Sequence, residues 1–265
     1  MEDRSPIYTL ATQDGDKPFD EGYFSQANVV DNLKLIEACS QDPSLIVVDI
    51  GSLLGDFGLY AAACGCQVYI FEIQPNSTDL IRASILANNF STERVHVIQR
   101  AVTNMPSNSD MTFAIRDGRS NITKGTIRTS TIRLDDIDWP PSSSILLLKI
   151  DVSGFELNVL RSAKKLFRAK RIQHVILEYT AWWTDRAAQK DVLPYLQKTL
   201  GAKGLYALER LGRIIYGPLN TQAVRHFYDY HVNIRLQTDI YAKFIETNGR
   251  STFDAEPYYL GVSRA

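Results

Sequence analysis

Apolar runs of strand length recur along this chain, and four of them lead into an acidic residue. Residues 45–48 run into Asp49, residues 68–71 into Glu72, residues 145–150 (ILLLKI) into Asp151, and residues 174–177 (HVIL) into Glu178. Runs this uniformly apolar suit strands buried on both faces, the usual state of a parallel sheet. Residues 94–100 alternate like another strand. Residues 111–115 and 129–134 read as two more, around a polar insert at 116–124 expected to form a surface loop or hairpin. Between the runs, apolar residues recur at helical spacing. Val29, Val30, Leu33, Ile36 and Ala38 place one helix over 25–39. Leu80, Ile81, Ile85, Leu86 and Phe90 place another over 77–88, with Ser77 as its N-cap. Further helices are expected at 59–64, 158–167, 192–200 and 221–231. Residues 205–216 read as two strands joined near Gly212, and residues 239–244 as a last edge strand or the start of a helix. Residues 1–22 form an irregular polar arm.

Strands alternating with helices predict an α/β fold with a mostly parallel central sheet and helices on both faces. No repeat or linker divides the chain. One domain is therefore expected over 1–265, comprising an N-terminal arm and helix (1–43), a ligand-binding core (44–180) and a C-terminal part completing the sheet and the substrate side (181–265).

In open α/β sheets ligands gather at the carboxyl ends of the strands, so Asp49, Glu72, Asp151 and Glu178 should line one rim. The stretch 45–75 has the form of a nucleotide-binding βαβ unit: strand, a turn carrying Gly51, Gly55 and Gly58, helix, strand, acid. Glycine allows close approach of backbone to ligand, and a carboxylate about 20 residues on can accept hydrogen bonds from ribose hydroxyls. Leu53, however, stands where a dinucleotide site needs its middle glycine, and no lysine has a tyrosine four residues before it, as a short-chain dehydrogenase would require. The pattern fits better with a cofactor that has a ribose and an amino-acid tail but no phosphate, which is S-adenosylmethionine.

Composition narrows the class without naming it. With 29 basic and 30 acidic residues the net charge is −1, which argues against a general nucleic-acid binder. The three cysteines, Cys39, Cys64 and Cys66, lack the spacing of a disulfide framework or zinc pair and read as free, buried thiols in a reducing, cytoplasmic setting. No apolar run reaches about 18 residues and no leader-like segment opens the chain, so no membrane association is expected. The four histidines show no metal-ligand spacing, and no metal is expected. Trp182-Trp183, after the 174–177 strand, fall where a lid over the substrate would lie, for stacking or for packing.

Several segments together resemble the FkbM-type family of class I methyltransferases. They are VVDIGSLLGDFGLYAA with IFEIQP, then TIRLDDI, then LLLKIDVSGFELNVLRSA, then VILEY, in order between residues 45 and 179. The resemblance implies a Rossmann-like sheet, S-adenosylmethionine as methyl donor, and O-methylation of a hydroxyl on a small molecule or sugar. It implies that Gly51 and Gly55 shape the cofactor turn and that Asp49 supports it or reaches the cofactor ammonium through water. Glu72 then takes the ribose hydroxyls, Arg100 and Ala101 lie beside the adenine, and Asp151 stands where methyl group and acceptor meet. The catalytic candidates are Asp151, Glu178 and Glu156, the last with a structural alternative in the first turn of its helix. Two departures stand out: Ser153 replaces the family's glutamate, and Ser52-Leu53-Leu54 replaces Ala-Asn-Ile. A catalytically silent binding module is therefore the alternative, with an NAD(P)-dependent oxidoreductase behind it.

Overall fold

A computed structural model describes residues 6–12, 27–114, 126–183, 185–209, 214–245 and 255–258. The two most apolar runs become neighbours inside a nine-stranded sheet: β1 (Ile46–Ile50) lies parallel to β7 (Ile145–Ile150) on one side and to β2 (Gln67–Phe71) on the other. β3 (Val95–Ile98) extends the sheet beyond β2, and β8 (Ile172–Tyr179) extends it beyond β7, all five strands parallel. The chain thus builds outward from β1 in one direction and then returns to build outward in the other. The crevice between the carboxyl ends of β1 and β7 is a topological switch point, the place where such sheets bind ligands.

Both faces of the sheet are covered. Val48, Ile50, Leu148, Ile150, Val175 and Leu177 pack toward α5 (Glu156–Ser162) and α8 (Thr221–Ile234) through Leu157, Leu160 and Phe227. Val47, Val68, Ile70, Leu147 and Ile176 pack toward α3 (Asp56–Ala63) and α4 (Pro75–Ala87) through Leu59, Ile81 and Ile85. Each fully buried aliphatic side chain contributes about 1.5–3 kcal/mol, which is why the strands carry so few polar positions.

Several elements differ from expectation for identifiable reasons. The 25–39 helix is two helices, α1 (Ala27–Leu33) and α2 (Leu35–Gln41), because Lys34 adopts a left-handed conformation between them (φ 47°). The 158–167 helix likewise breaks at Ala163 into α5 and α6 (Lys164–Arg168). α4 begins at Pro75, whose fixed φ suits the first helical position, so Ser77 is buried inside the first turn rather than capping it. The 239–244 run forms β11 (Thr238–Lys243), yet not at an edge. It inserts antiparallel between β8 and β9 (Gly204–Leu208), and its Ile240, Tyr241 and Ala242 are fully buried.

β10 (Ile215–Tyr216) and β12 (Ala255–Glu256) complete that side, while Gly212 lies outside the described residues. Between β8 and β9 the chain forms α7 (Val192–Pro194) and a wider turn, Tyr195–Thr199. A second, three-stranded sheet pairs β6 (Thr126–Ile132) with β4 (Ala101–Val102) and β5 (Asp110–Ala114), and β5 and β6 are the two strands expected around the 116–124 insert, here paired antiparallel; the insert lies outside the described residues, as does most of the 1–22 arm.

The cysteines require a correction. Cys39 of α2 and Cys66, just before β2, form a disulfide, while Cys64 is buried outside that bond. Sequence spacing hid the pair because 27 residues separate partners that α2 brings together by packing beside the β2 entry. Since disulfides persist in oxidising settings, cysteine usage no longer supports a reducing compartment. Among the described residues no helix is long and apolar enough to cross a membrane.

Candidate functional site

The switch point is built from two turns pressed together. After β1 the chain enters Gly51 (φ 77°), whose N–H donates to Phe71 O at 2.9 Å. A methyl group on Gly51 would lie 1.9 Å from the carbonyl oxygen of Asp151, so only glycine lets the β1 and β7 turns meet. Two non-glycine residues, Leu53 (φ 53°) and Ser153 (φ 50°), also sit in the left-handed region, one in each turn. Such strained residues persist only where surrounding contacts fix them, and they cluster at ligand sites. Gly55 serves differently: it caps α3 and lies against Ile81 of α4.

Glu72, immediately after β2, fixes the first turn. Its Oε2 accepts from Leu53 N at 2.8 Å, and its Oε1 accepts from Ile73 N at 2.8 Å and Gln74 N at 2.9 Å. Burial raises its pKa, and these backbone donors oppose the rise. The Gln74 side chain adds a further donor, so the carboxylate is held on several sides by its own turn. Arg100 and Ala101 follow β3, whose last residue Ile98 accepts from Glu72 N at 3.3 Å; Ala101 is buried in β4 and Arg100 is half-exposed beside it.

Asp49 is two residues deeper than the rim it was expected to line, and it is fully buried. Its Oδ2 accepts from Gly58 N at 3.0 Å, tying β1 to α3, and its Oδ1 lies 3.4 Å from the ammonium of Lys149. Lys149 is the register partner of Asp49 on β7, also approaches Asp151 Oδ2 at 3.8 Å, and lies 5.9 Å from the Phe57 ring centroid. Burial alone would lower the Lys149 pKa, but Asp49, Asp151 and Asp56 together hold it above its ordinary value. Asp56, in the first turn of α3, is pushed up to about 6 by burial; Lys149 opposes this, while Asp49 and Asp151 add to it. Sequence reasoning passed over Lys149. The signal was a lone charged residue inside the apolar run ILLLKI.

The register pairs Phe71↔Ile50↔Ile150↔Leu177 put Gly51, Glu72, Asp151 and Glu178 at one level across four strands. Asp151 is partly exposed at that level (27%). Glu178, still within β8, accepts a hydrogen bond from Gln237 Nε2. Glu156 lies behind the turn rather than on the rim. Its Oε1 accepts from Gly154 N at 2.9 Å, its Oε2 has no hydrogen-bond partner, and burial, with Asp151 adding, pushes its pKa up to about 7.

The loop after β8 folds back over this turn. Gly154 O accepts from Gln189 Nε2 at 2.7 Å and from Ala187 N at 3.2 Å. Trp183 carries the Arg186 guanidinium 4.5 Å from its ring centroid. On the other flank, Phe155 meets Phe113 of β5 edge-on at 5.9 Å. The histidines pack elsewhere. His174 contacts Tyr241 Oη at 2.7 Å, and His231 contacts Leu236 O at 2.9 Å, burial lowering both to about 4. Among the described residues no group of three or more His, Cys, Asp or Glu side chains is placed to hold a metal ion.

The methyltransferase FkbM domain family matches residues 49–203, from the buried Asp49 through the loop that follows β8. The chain belongs to this family. A comparison with curated proteins gives no match. Among solved structures, the N-terminal domain of human METTL16 in complex with SAH is 10% identical, covering 90% of this chain and 76% of that one at a TM-score of 0.48. A SAM-dependent methyltransferase from Aquifex aeolicus is 12% identical, with 87% and 95% covered and a TM-score of 0.43. Precorrin-6y C5,15-methyltransferase from Geobacter metallireducens is 15% identical, with 75% and 78% covered and a TM-score of 0.42. The fold of the FkbM chain is the class I, Rossmann-like methyltransferase fold, with a mostly parallel sheet in which β11, inserted beside β8, and the edge strands β10 and β12 run opposite to the other six.

Proposed function

We propose that this chain, as one methyltransferase domain, transfers the methyl group of S-adenosylmethionine to a hydroxyl oxygen of a small molecule or sugar. The observation that carries the reading is charge. Asp49, Asp56 and Asp151 surround the ammonium of Lys149 beside the Gly51 turn, so the crevice holds more negative than positive charge. S-adenosylmethionine brings a sulfonium and an ammonium against one carboxylate, a net positive charge. A dinucleotide brings phosphates. One charge at about 5 Å, with an effective dielectric near 20, amounts to about 3 kcal/mol, enough to favour the former by sign alone.

In this reading Gly51 gives the cofactor's amino-acid tail access to the backbone, and Glu72, level with Gly51 across the strand ends, accepts from the ribose hydroxyls. Arg100 and Ala101 flank the adenine. Gly55 and Asp49 hold α3 in place beneath. When bound, the cofactor supplies an electrophilic methyl group on a sulfonium. Asp151, exposed at the rim, receives the acceptor hydroxyl's proton as its oxygen turns nucleophilic, with Glu178 level with it as a second carboxylate. Glu156 holds Gly154 N from behind the turn and is a positioning residue. The net charge of −1 favours a small acceptor over nucleic acid.

Calorimetric titration with S-adenosylhomocysteine and, separately, with NADH tests the cofactor; heat with the first alone is expected, and its absence sinks the reading. Labelled methyl transfer to hydroxylated compounds, lost in Asp151→Ala, tests the chemistry. The second reading, a silent binding module, draws on Ser153, which offers a hydroxyl where the family resemblance implies a carboxylate. It predicts cofactor heat without any transfer, and transfer gained in Ser153→Glu.

A further inference from the structure

Among the described residues several arginines are matched to an acid or spread their donors over several oxygens. Arg82 pairs with Asp79, Arg128 with Asp110 and Arg133 with Asp136, while Arg171 donates to Ser143 and Pro140. Arg186 differs. Its Nη1 donates to the backbone oxygen of Ser153, two residues beyond Asp151, and among the described residues no carboxylate pairs with it. Its position is nonetheless fixed: the guanidinium lies against Trp183, and the following Ala187 and Gln189 are bonded to Gly154 O. Gly154 leaves room for it, since a methyl group there would lie 2.8 Å from Arg186 Cδ and 3.2 Å from Trp183 Cε3. A planar cation held on an aromatic ring, with most of its donors unused among the described residues, is a preorganised receptor for a carboxylate or phosphate. It also stands outside the acidic cluster around Lys149, so the site has a negative interior and a positive lip.

Resting on the methyltransferase reading, we propose that Arg186 is the anion-recognition residue of the acceptor site. The acceptor is then a hydroxylated molecule that carries a carboxylate or a phosphate. The anionic group binds at Arg186 and directs the hydroxyl toward Asp151, while the interior repels the anion and keeps it from entering the cofactor's place. No covalent step is added to the reaction. Arg186 selects and orients.

Labelled transfer is measured for matched pairs: hydroxy acids against their amides, and sugar phosphates against the free sugars. At least tenfold preference for one anionic set is expected, and which set shows it identifies carboxylate or phosphate. In Arg186→Ala that preference disappears through a raised KM, and Arg186→Lys restores part of it, while S-adenosylhomocysteine binding keeps its affinity in both variants. Equal transfer to charged and neutral partners, or a preference that survives Arg186→Ala, overturns the proposal. Binding is read independently from tryptophan fluorescence during titration with inorganic phosphate and with glycerate. A saturable change that is absent in Arg186→Ala and Trp183→Phe is expected, and no change with either anion in the unaltered protein overturns the proposal. Loss of S-adenosylhomocysteine binding in the unaltered protein would instead defeat the methyltransferase reading itself.

Discussion

The turns after β1 and β7 do related jobs by opposite means. The first is held by its own neighbourhood: Gly51 bonds to β2, Leu53 bonds to Glu72, and Asp49 reaches Gly58 within the next helix. The second is held by a loop more than 30 residues away, through Arg186, Ala187 and Gln189. Each turn contains one strained non-glycine residue, but Leu53 is tucked in and Ser153 is exposed. A turn braced locally keeps its shape whatever happens to distant loops, which suits an invariant cofactor. A turn braced from afar changes whenever that loop changes, which suits a site that must be adapted to different acceptors.

The contrast is broken most severely at the contact between the turns. Gly51→Ala places a methyl group within the Asp151 carbonyl and forces alanine into a left-handed conformation. The backbone term alone costs about 1–3 kcal/mol. Both turns should shift, with S-adenosylhomocysteine binding lost in calorimetry and a lower midpoint in urea unfolding. Next comes Lys149→Met, which removes the ammonium shared by the two turns and leaves Asp49 buried with no ion pair to its Oδ1. Removing one partner of a buried pair costs about 3–5 kcal/mol, and the 12% exposure of Lys149 puts this case at the low end. Equilibrium unfolding near neutral pH measures it, and a loss under about 1 kcal/mol would show that the cation is dispensable.

That difference in bracing also explains what could be read from the sequence. The β1 turn was legible because its parts, Asp49, Gly51, Gly55 and Glu72, lie on consecutive elements at motif spacing. The parallel strands were legible because burial on both faces leaves an unbroken apolar run. The place of β11 was not, since an interior antiparallel strand has the same local pattern as an edge one, and only the return of the chain from α8 decides between them. Arg186 was invisible for a similar reason: nothing at residue 186 announces a contact with residue 153. Lys149 could have been found, because an isolated lysine in a doubly buried strand needs a carboxylate partner, and Asp151 stands two residues on. The Cys39–Cys66 bond depends on how α2 packs, which no spacing rule supplies.

A subtler probe of the β7 turn uses pH. The carboxyl of Glu156 is raised by burial from an ordinary 4.5 to about 7. Between those values the folded protein holds a proton that the unfolded chain has released. Its contribution to stability is therefore full below the ordinary value and is lost as pH rises through about 7. Glutamine cannot titrate, yet it keeps an oxygen for Gly154 N. Stability of Glu156→Gln relative to the unaltered protein should improve by about 3 kcal/mol between roughly pH 4 and pH 8. Asp56 shares the direction of shift, but it is present in both proteins and cancels. Urea unfolding at a series of pH values checks this, and parallel curves would show that Glu156 does not carry the proton.

The smallest effect separates the two strained residues themselves. Glycine adopts the left-handed conformation freely, so replacing a residue held there relieves roughly 1 kcal/mol of backbone strain. At Ser153 the side chain is exposed and, among the described residues, makes no hydrogen bond that glycine would lose, so Ser153→Gly should stabilise by close to that amount. At Leu53 the side chain is half-buried, and removing it surrenders apolar contact of comparable size, so Leu53→Gly should be near neutral. S-adenosylhomocysteine affinity should stay within a few-fold for Leu53→Gly, because the Leu53 N–H that meets Glu72 belongs to the backbone and survives. Paired thermal melts of the two variants decide the matter. If Leu53→Gly gains as much as Ser153→Gly, the leucine side chain contributes nothing to the first turn, and only the backbone distinguishes the locally braced site from the remotely braced one.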